Sequence, residues 1–388
     1  MLNFDFYNPT MIIFGKDRLE TINTNVPAGA VVLVTYGGGS AKKSGLIDKI
    51  RTALGNRQIH EFGGIEPNPR YETLIKAVEI VRKGKIDFLL AVGGGSVIDG
   101  TKFIALASCY KGDASDLLKY GLMPIPFDVA GNVIPFGTVL TLPATGSEMN
   151  CGAVISRGHG KYAVMSGLVF PKFSILDPSI SFTAPKVQIA NGVVDAFVHT
   201  TEQYLTYPVD GRVQDRIAEG ILQTLIEIGG VTVAEPENYD ARANHVWCAT
   251  LALNGLIGSG VPQDWATHMI GHEITALCGI DHAQTLAIVL PSLLEVRREQ
   301  KRAKLLQYAE RVWHIENGIE DEKIDLAIRK TREFFESLGV KTRLSQYGVG
   351  PDKIPLIVEQ LKEHGMTALS ETQDLSLDVS RKILEGAI

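Results

Sequence analysis

Cysteine is scarce in this chain: Cys109, Cys151, Cys248 and Cys278 are its four, and none forms a C-x-x-C pair. That excludes a disulfide framework and sets the expectation of free thiols in a reducing compartment, the cytoplasm. A basic excess is missing too. Lys and Arg number 38 against 44 Asp and Glu, a formal charge of −6 spread without runs, so no footprint for a polyanion exists and nucleic acid is excluded as a partner. The start, Met1-Leu-Asn-Phe-Asp5, lacks the basic and apolar regions of a signal peptide, and the apolar stretch 286–294, interrupted by Pro291, is too short to cross a bilayer. A soluble protein with no membrane association is expected. There is no long-period repeat, low-complexity tract or long linker. What the chain does have is 388 residues, 45% of them hydrophobic, enough to bury a full core and to divide into two domains.

The first half alternates short β-branched runs with glycine turns and helical patterns, the texture of a parallel-sheet α/β domain. Val31-Val-Leu-Val34, residues 58–62, Phe88-Leu-Leu-Ala-Val92 and Thr138-Val-Leu-Thr-Leu142 read as strands. Residues 41–54, with Ser40 as N-cap, then 71–83 and the stretch after Ser96 through Ala107 read as helices, while 121–137 reads as loop. Beyond Pro185, apolar residues recur at three- and four-residue spacing near 187–206, 212–228, 239–257, 264–278, 282–309 and 321–338. The expected architecture is therefore an α/β dinucleotide-binding domain over 1–185 and an all-α domain over 186–388, with the functional site in the cleft between them.

Two glycine triplets, Gly37-Gly-Gly-Ser40 and Gly93-Gly-Gly-Ser96, each follow a strand and precede a helix. Such a turn lets the backbone approach a ligand, and the helix N-terminus behind it offers N–H groups and a positive dipole end to an anion. One turn would hold the adenosine end of a dinucleotide and the other its pyrophosphate. Neither is the usual fingerprint, because the sixth position of G-x-G-x-x-G is Lys42 in one and Ile98 in the other. No carboxylate stands at the first turn to accept a ribose 2′-hydroxyl, whereas Ser40, Lys42 and Lys43 would meet a 2′-phosphate. That points to NADP(H). Glu61, at the end of the second strand, stands against it, being placed where an NAD-selecting acid sits in an ordinary Rossmann domain.

The second half carries a different concentration. Asp195 and His199 are four apart in a helical stretch, as are His268 and His272, and His282 follows shortly after. Either pair alone is an ordinary helix face. Together they place four of the chain's nine histidines, with one acid, in a half otherwise poor in chemistry. One oxygen and three nitrogen donors suit Fe²⁺ or Zn²⁺ rather than Mg²⁺ or Ca²⁺, and four of the five candidates suffice. His60, His159, His245, His314 and His364 read as surface or loop residues. A protease-like reading fails, because H-E-x-x-H needs Glu after the first histidine and Met269 stands there, with Glu273 after the second.

These residues resemble the iron-containing (group III) alcohol dehydrogenases. The resemblance rests on Gly93-Gly-Gly-Ser96 with Asp99, on Asn191-Gly-Val-Val-Asp195-Ala-Phe-Val-His199 with Glu202, and on His268-Met-Ile-Gly-His272 with Asp281-His-Ala-Gln-Thr285. More narrowly, Tyr36-Gly-Gly-Gly-Ser40, Phe62-Gly-Gly-Ile-Glu-Pro-Asn-Pro69, Leu140-Thr-Leu-Pro-Ala-Thr-Gly-Ser-Glu148 and Val261-Pro-Gln-Asp-Trp-Ala-Thr-His268 are similar to the NADPH-dependent butanol dehydrogenase and broad aldehyde reductase branch. The resemblance implies a dehydroquinate-synthase-like fold and a homodimer, joined in the strand region 4–13. It implies metal ligands at Asp195, His199, His268 and His282, with His272 as a non-ligand active-site histidine. Gly37, Gly38, Gly39 and Ser40 match the loop near the adenosine ribose, and Gly94, Gly95 and Ser96 the pyrophosphate loop. Asn68, Asp99, Thr138, Thr141, Ser147 and Lys161 fall at further cofactor-contacting positions. Glu273 departs from the small or apolar residue common at its place.

The implied chemistry is hydride transfer between NADP(H) and a small aldehyde or primary alcohol. One carboxylate and three neutral imidazoles leave a divalent ion with net positive charge, a Lewis acid able to polarise an aldehyde oxygen. His272 would relay the proton. A polyol dehydrogenase of the same family and a fold-related metal-dependent lyase are the rival readings; loss of NADPH absorbance on adding an aldehyde separates net redox chemistry from the lyase.

Overall fold

The computed structural model describes residues 1–388. Packing divides them into two bodies, Tyr7–Ala184 and Pro185–Ile388, the latter also including Met1–Phe6. The division expected at 185 therefore differs in the first six residues, which pack with the helical body: the Leu2 N–H donates to the Gly260 carbonyl at 2.9 Å, and the Met1 ammonium donates to the Val209 carbonyl.

The first body is built on strands β1 (Met11–Phe14), β2 (Val31–Tyr36), β3 (Gln58–Phe62), β4 (Phe88–Gly93), β5 (Phe136–Leu140), β6 (Gly152–Arg157), β7 (Gly160–Met165) and β8 (Phe173–Leu176). Six of these form one parallel sheet in the order β1-β8-β5-β4-β2-β3, and β6 and β7 pair separately as an antiparallel hairpin. The central strands are hydrophobic on both faces, as a sheet covered twice requires. The row Val32, Val34, Tyr36, Leu90 and Val92 packs with Ile47, Ile50 and Leu54. From the other face Thr35 meets Thr101, their hydroxyls 2.6 Å apart.

The helices of this body are α1 (Ile22–Asn25), α2 (Ser40–Lys43), α3 (Leu46–Leu54), α4 (Tyr71–Gly84), α5 (Gly95–Cys109) and α6 (Phe127–Ala130). The single helix expected over 41–54 is two, because Gly45 adopts φ +75° between α2 and α3, a left-handed conformation that ends one helix and lets another start. The residue capping α2 is Gly39, not Ser40. Strand β1 overlaps the strand region expected over 4–13, whereas β8 and the β6–β7 hairpin lie outside the expected strands.

The second body is helical: α7 (Lys186–Tyr204), α8 (Arg212–Ala234), α9 (Tyr239–Ala252), α10 (Ala266–Cys278), α11 (His282–Val296), α12 (Arg302–Arg311), α13 (Glu320–Ser337), α14 (Ile354–Glu363) and α15 (Leu377–Gly386). Its strands are only β9 (Ala368–Leu369) and β10 (Leu375–Ser376), a two-stranded ladder. The helix expected over 282–309 is interrupted at 297–301, where Arg297 turns inward to Asp374 and Lys301 to Asp264 and Glu371. By length and composition alone α8 is apolar enough to cross a membrane. The helix packs along α7 and α9 through one face, with Ala218, Ile221, Leu222 and Leu225 buried. It carries a buried Glu219 that accepts from Tyr204, Arg216, Gln307 and Arg311. Helix α7 is buried continuously from Ile189 to Tyr204, so its polar residues face protein on every side.

Candidate metal and dinucleotide sites

Helix α7 sets Asp195, His199 and Glu202 on one face by their spacing of four and three. Asp195 is 2% exposed, and three imidazoles surround one of its oxygens. His199 Nδ1 lies 3.7 Å, His282 Nε2 3.8 Å and His268 Nε2 3.9 Å from Asp195 Oδ1. These separations exceed any hydrogen bond, yet donors bound to one tetrahedral ion at about 2.0–2.2 Å stand roughly 3.3–3.6 Å apart. Ligand atoms of Asp195, His268 and His282 all fall within 4.8 Å of one another. His199 stands outside that three-donor group and joins it through Asp195, its ring stacked on that of His268 with centroids 4.6 Å apart.

Two further observations test the fit to an ion. His199 Nδ1 is buried without a hydrogen-bond partner, a costly arrangement for an imidazole unless something else occupies its lone pair. Burial above all holds His199 down at about 4, against the pull of Asp195, so the ring is neutral at physiological pH, the form a metal accepts. The donor set is one carboxylate and imidazoles, and it fits Fe²⁺ or Zn²⁺. His272 stands beside the group, its ring centroid 5.1 Å from that of His282 and 6.2 Å from that of His268.

Glu202 takes a role that spacing alone did not assign. Its Oε1 accepts from the N–H groups of Thr267 at 2.7 Å and His268 at 3.3 Å, and its Oε2 is bonded to His268 Nδ1. Burial, and after it the charge of Asp264, push the Glu202 carboxyl above its ordinary range, while those N–H groups act the other way. Its seven-residue offset from Asp195 was the available signal. Of the histidines expected at the surface or in loops, His245 is placed differently, and His364 lies in the turn after α14 as expected. His245 is fully buried on α9, where burial pushes it down to about 3. His364 Nδ1 lies 2.8 Å from Oε1 of Glu273, so the residue that departs from the common pattern ties α10 to the end of α14.

In the α/β body both glycine turns follow the carboxyl ends of adjacent parallel strands, β2 and β4. Tyr36 is in register with Val92, and Gly93 with Leu140, so residues 37–40 and 93–96 emerge side by side. Because β3 lies on one side of β2 and β4 on the other, they flank the point where the strand order reverses, the usual ligand crevice of an open α/β sheet. Gly94 caps the 15-residue α5. A Cβ at Gly95 would overlap Thr145 Oγ1, so glycine there lets the start of α5 pack closely against the Thr145 side chain. Gly38, Ser40, Lys42 and Lys43 are exposed, with Gly37 and Gly39 half-buried.

The remaining expected cofactor residues are engaged inside the protein. Ser96 Oγ accepts from the N–H of Asn68, which has φ +55°, at 3.2 Å. Thr141 N–H donates to the Gly93 carbonyl at 3.0 Å. Thr138 is fully buried and donates to Ser174 at 2.7 Å. Asp99 accepts from Ser147 at 2.6 Å and from the Val154 N–H at 2.9 Å, with the Lys161 charge nearby. Lys102, one turn from Asp99, donates to Ser147, Asn150 and the Gly152 carbonyl; burial lowers it to about 8. Asp99, Lys102 and Ser147 thus lock α5 to the β6–β7 hairpin. Glu61 accepts from Arg51 Nε at 2.7 Å and Tyr36 Oη at 3.2 Å.

Comparison with known proteins agrees with this pairing of a glycine-turned α/β body and a histidine-rich helical one. Residues 9–178 match the model for iron-containing alcohol dehydrogenase, and residues 189–377 match that for the C-terminal part of the Fe-containing alcohol dehydrogenase family. The chain belongs to the iron-containing alcohol dehydrogenase family, oxidoreductases with a dehydroquinate-synthase-like fold. It is 59% identical over 391 residues, and 100% of both chains, to the NADPH-dependent aldehyde reductase YqhD of Escherichia coli. It is 43% identical to a probable NADH-dependent butanol dehydrogenase of Bacillus subtilis, over 94% of this chain and 95% of that one. A crystal structure of YqhD superposes with a TM-score of 0.97 at 58% identity, covering 100% of this chain and 99% of that one. For the NADH-dependent butanol dehydrogenase A of Thermotoga maritima the TM-score is 0.92 at 34% identity, again over 100% and 99%.

Proposed function

We propose that this protein is an aldehyde reductase that prefers NADPH and interconverts small aldehydes and primary alcohols with the help of one Fe²⁺ or Zn²⁺. The observation that carries the reading is the convergence of three imidazole nitrogens at 3.7–3.9 Å on one buried oxygen of Asp195. A bound divalent ion there supplies a Lewis acid for the carbonyl oxygen, and the reduced nicotinamide supplies the hydride. Asp195, His199, His268 and His282 hold the ion, and their single negative charge leaves it electrophilic. His272, beside this group but outside it, holds the proton that the nascent alcohol takes up.

On the cofactor side, the first-turn N–H groups of α5, with Gly94, Gly95 and Ser96, receive the pyrophosphate. Gly37–Ser40 approach the adenosine ribose, with Asn68 and Thr141 bordering the turns. Asp99, Thr138, Ser147 and Lys161 support that floor from within. The preference for a 2′-phosphate follows from charge. Ser40, Lys42 and Lys43 are exposed, and Glu61, the acid that would favour NADH, is neutralised by Arg51. Homodimers formed through the edge strand β1, where Met11 is 47% exposed, and residence in the cytoplasm complete the reading.

The test is an assay of the purified protein, reconstituted separately with Fe²⁺ and Zn²⁺, against a panel of aldehydes and alcohols with NADPH and NADH. Consumption of NADPH with aldehydes, lost on chelation and far slower with NADH, is expected. Equal efficiency with both nucleotides refutes the cofactor preference, and full activity without metal refutes the role of the ion.

A further inference from the structure

We infer that Glu202 is a positioning residue that sets the tautomer of His268, so that Nε2 of that ring presents a lone pair to the ion; the inference rests on the metal reading above. An imidazole binds metal through a nitrogen that carries no proton, and which nitrogen that is depends on the hydrogen bond made by the other. For His268 the other nitrogen, Nδ1, is bonded to Glu202 Oε2, while Nε2 is the one that lies 3.9 Å from Asp195 Oδ1. The second oxygen of Glu202 is already committed to two backbone donors, Thr267 N–H and His268 N–H. A carboxylate accepts on both oxygens, so all three donors are met at once.

The polarity of this arrangement has no neutral substitute. An amide offers one acceptor and one NH₂ donor. If its oxygen faces the two backbone N–H groups, its NH₂ meets Nδ1 and drives the ring proton to Nε2, where it blocks the ion. If the amide turns over, its NH₂ confronts the two backbone donors instead. The turn before α10 leaves little room for adjustment. Asp264 N–H donates to the Glu202 carbonyl at 2.9 Å, and Asp264 Oδ1 accepts from the Ala266 N–H at 3.0 Å. The other oxygen of Asp264 pairs at 2.8 Å with Lys301, which is 2% exposed and also reaches the Leu205 carbonyl and Glu371. The ring of His268 is therefore held from the α7 side by Glu202 and along its own helix start by a buried ion pair.

The experiment measures Zn²⁺ affinity of the metal-free full-length protein, by competition with a chromophoric chelator, for wild type, Glu202→Gln, Glu202→Asp and Asp195→Ala. Glu202→Gln is expected to bind Zn²⁺ roughly 10–100-fold more weakly, with the melting temperature of the metal-free protein close to wild type. Glu202→Asp, whose side chain only accepts, is expected to recover part of the loss. Wild-type affinity in the Gln variant overturns the inference. So does an Asp variant that binds no better than Gln, which would make length rather than polarity the controlling property. Should wild type bind no Zn²⁺, or Asp195→Ala bind it as wild type does, the metal reading itself falls and this inference with it.

Discussion

Around Asp195 the polar atoms come from side chains on buried helices, and His268 among them is backed by a further side chain, Glu202. At residues 37–40 and 93–96 the polar groups are instead backbone N–H groups at helix starts, and the side chains that add to them, Ser40, Lys42 and Lys43, stand in solvent. On the proposed function, the first region would bind by chemistry that a single atom can remove, and the second by chain geometry, which no side-chain truncation abolishes. Substitutions in the helical body should accordingly act as switches, and those at the exposed turn as adjustments.

The sharpest way to break that contrast is Asp195→Ala, for which kcat/KM is expected to fall by at least about three orders of magnitude together with metal content. Next, His272→Ala should lower kcat by roughly 10²–10⁴-fold, the usual worth of a positioned acid or base, while metal content stays at the wild-type level. Metal lost along with turnover would make His272 a ligand. Gly95→Ala tests geometry, since its Cβ would overlap Thr145. A loss of about 1–3 kcal/mol in unfolding free energy and a raised KM for NADPH are expected, read by denaturant titration and steady-state kinetics. Replacing Ser40 and Lys42 by Ala together should raise KM for NADPH about tenfold, the scale of one charge-assisted hydrogen bond, and leave NADH kinetics unchanged.

The smallest effect on turnover is expected from Lys102, and it appears in stability. Burial holds this ammonium at about 8 against an ordinary value of 10.5. Below pH 8 both states carry the proton. Between pH 8 and 10.5 the unfolded chain keeps it while the folded protein has released it, so this group makes unfolding free energy rise with pH across that window. Denaturation midpoints measured there should lose that rise in Lys102→Met.

Periodicity made the alternation of strand, glycine turn and helix legible, and the four-residue spacings brought Asp195, His199, His268 and His272 forward. What escaped was decided by tertiary partners. Nothing local distinguishes the Glu202 carboxylate from a solvated one, because its three donors lie more than sixty residues away. His245 sits in a helix of weak amphipathicity, so its burial follows from α7 and α8 packing around α9. Strand β8, inside the sheet between β1 and β5, is only four residues long, too short for an alternation signal, and its partner β1 stands at the other end of the α/β segment in sequence. The break between α2 and α3 has a local marker in Ser44-Gly45, masked by the apolar spacing on either side.

The hydrogen bonds of Met1 and Leu2 with residues 209 and 260 carry a practical consequence. Both ends of the polypeptide belong to one body, and the α/β body is in effect an insertion within it. A helical half expressed from Pro185 onward would leave the Gly260 carbonyl and the surface under Phe4 uncovered, so halving the gene there should yield an aggregating product. Grafting residues 1–6 in front of Pro185 through a short flexible spacer is the design that should stay in solution.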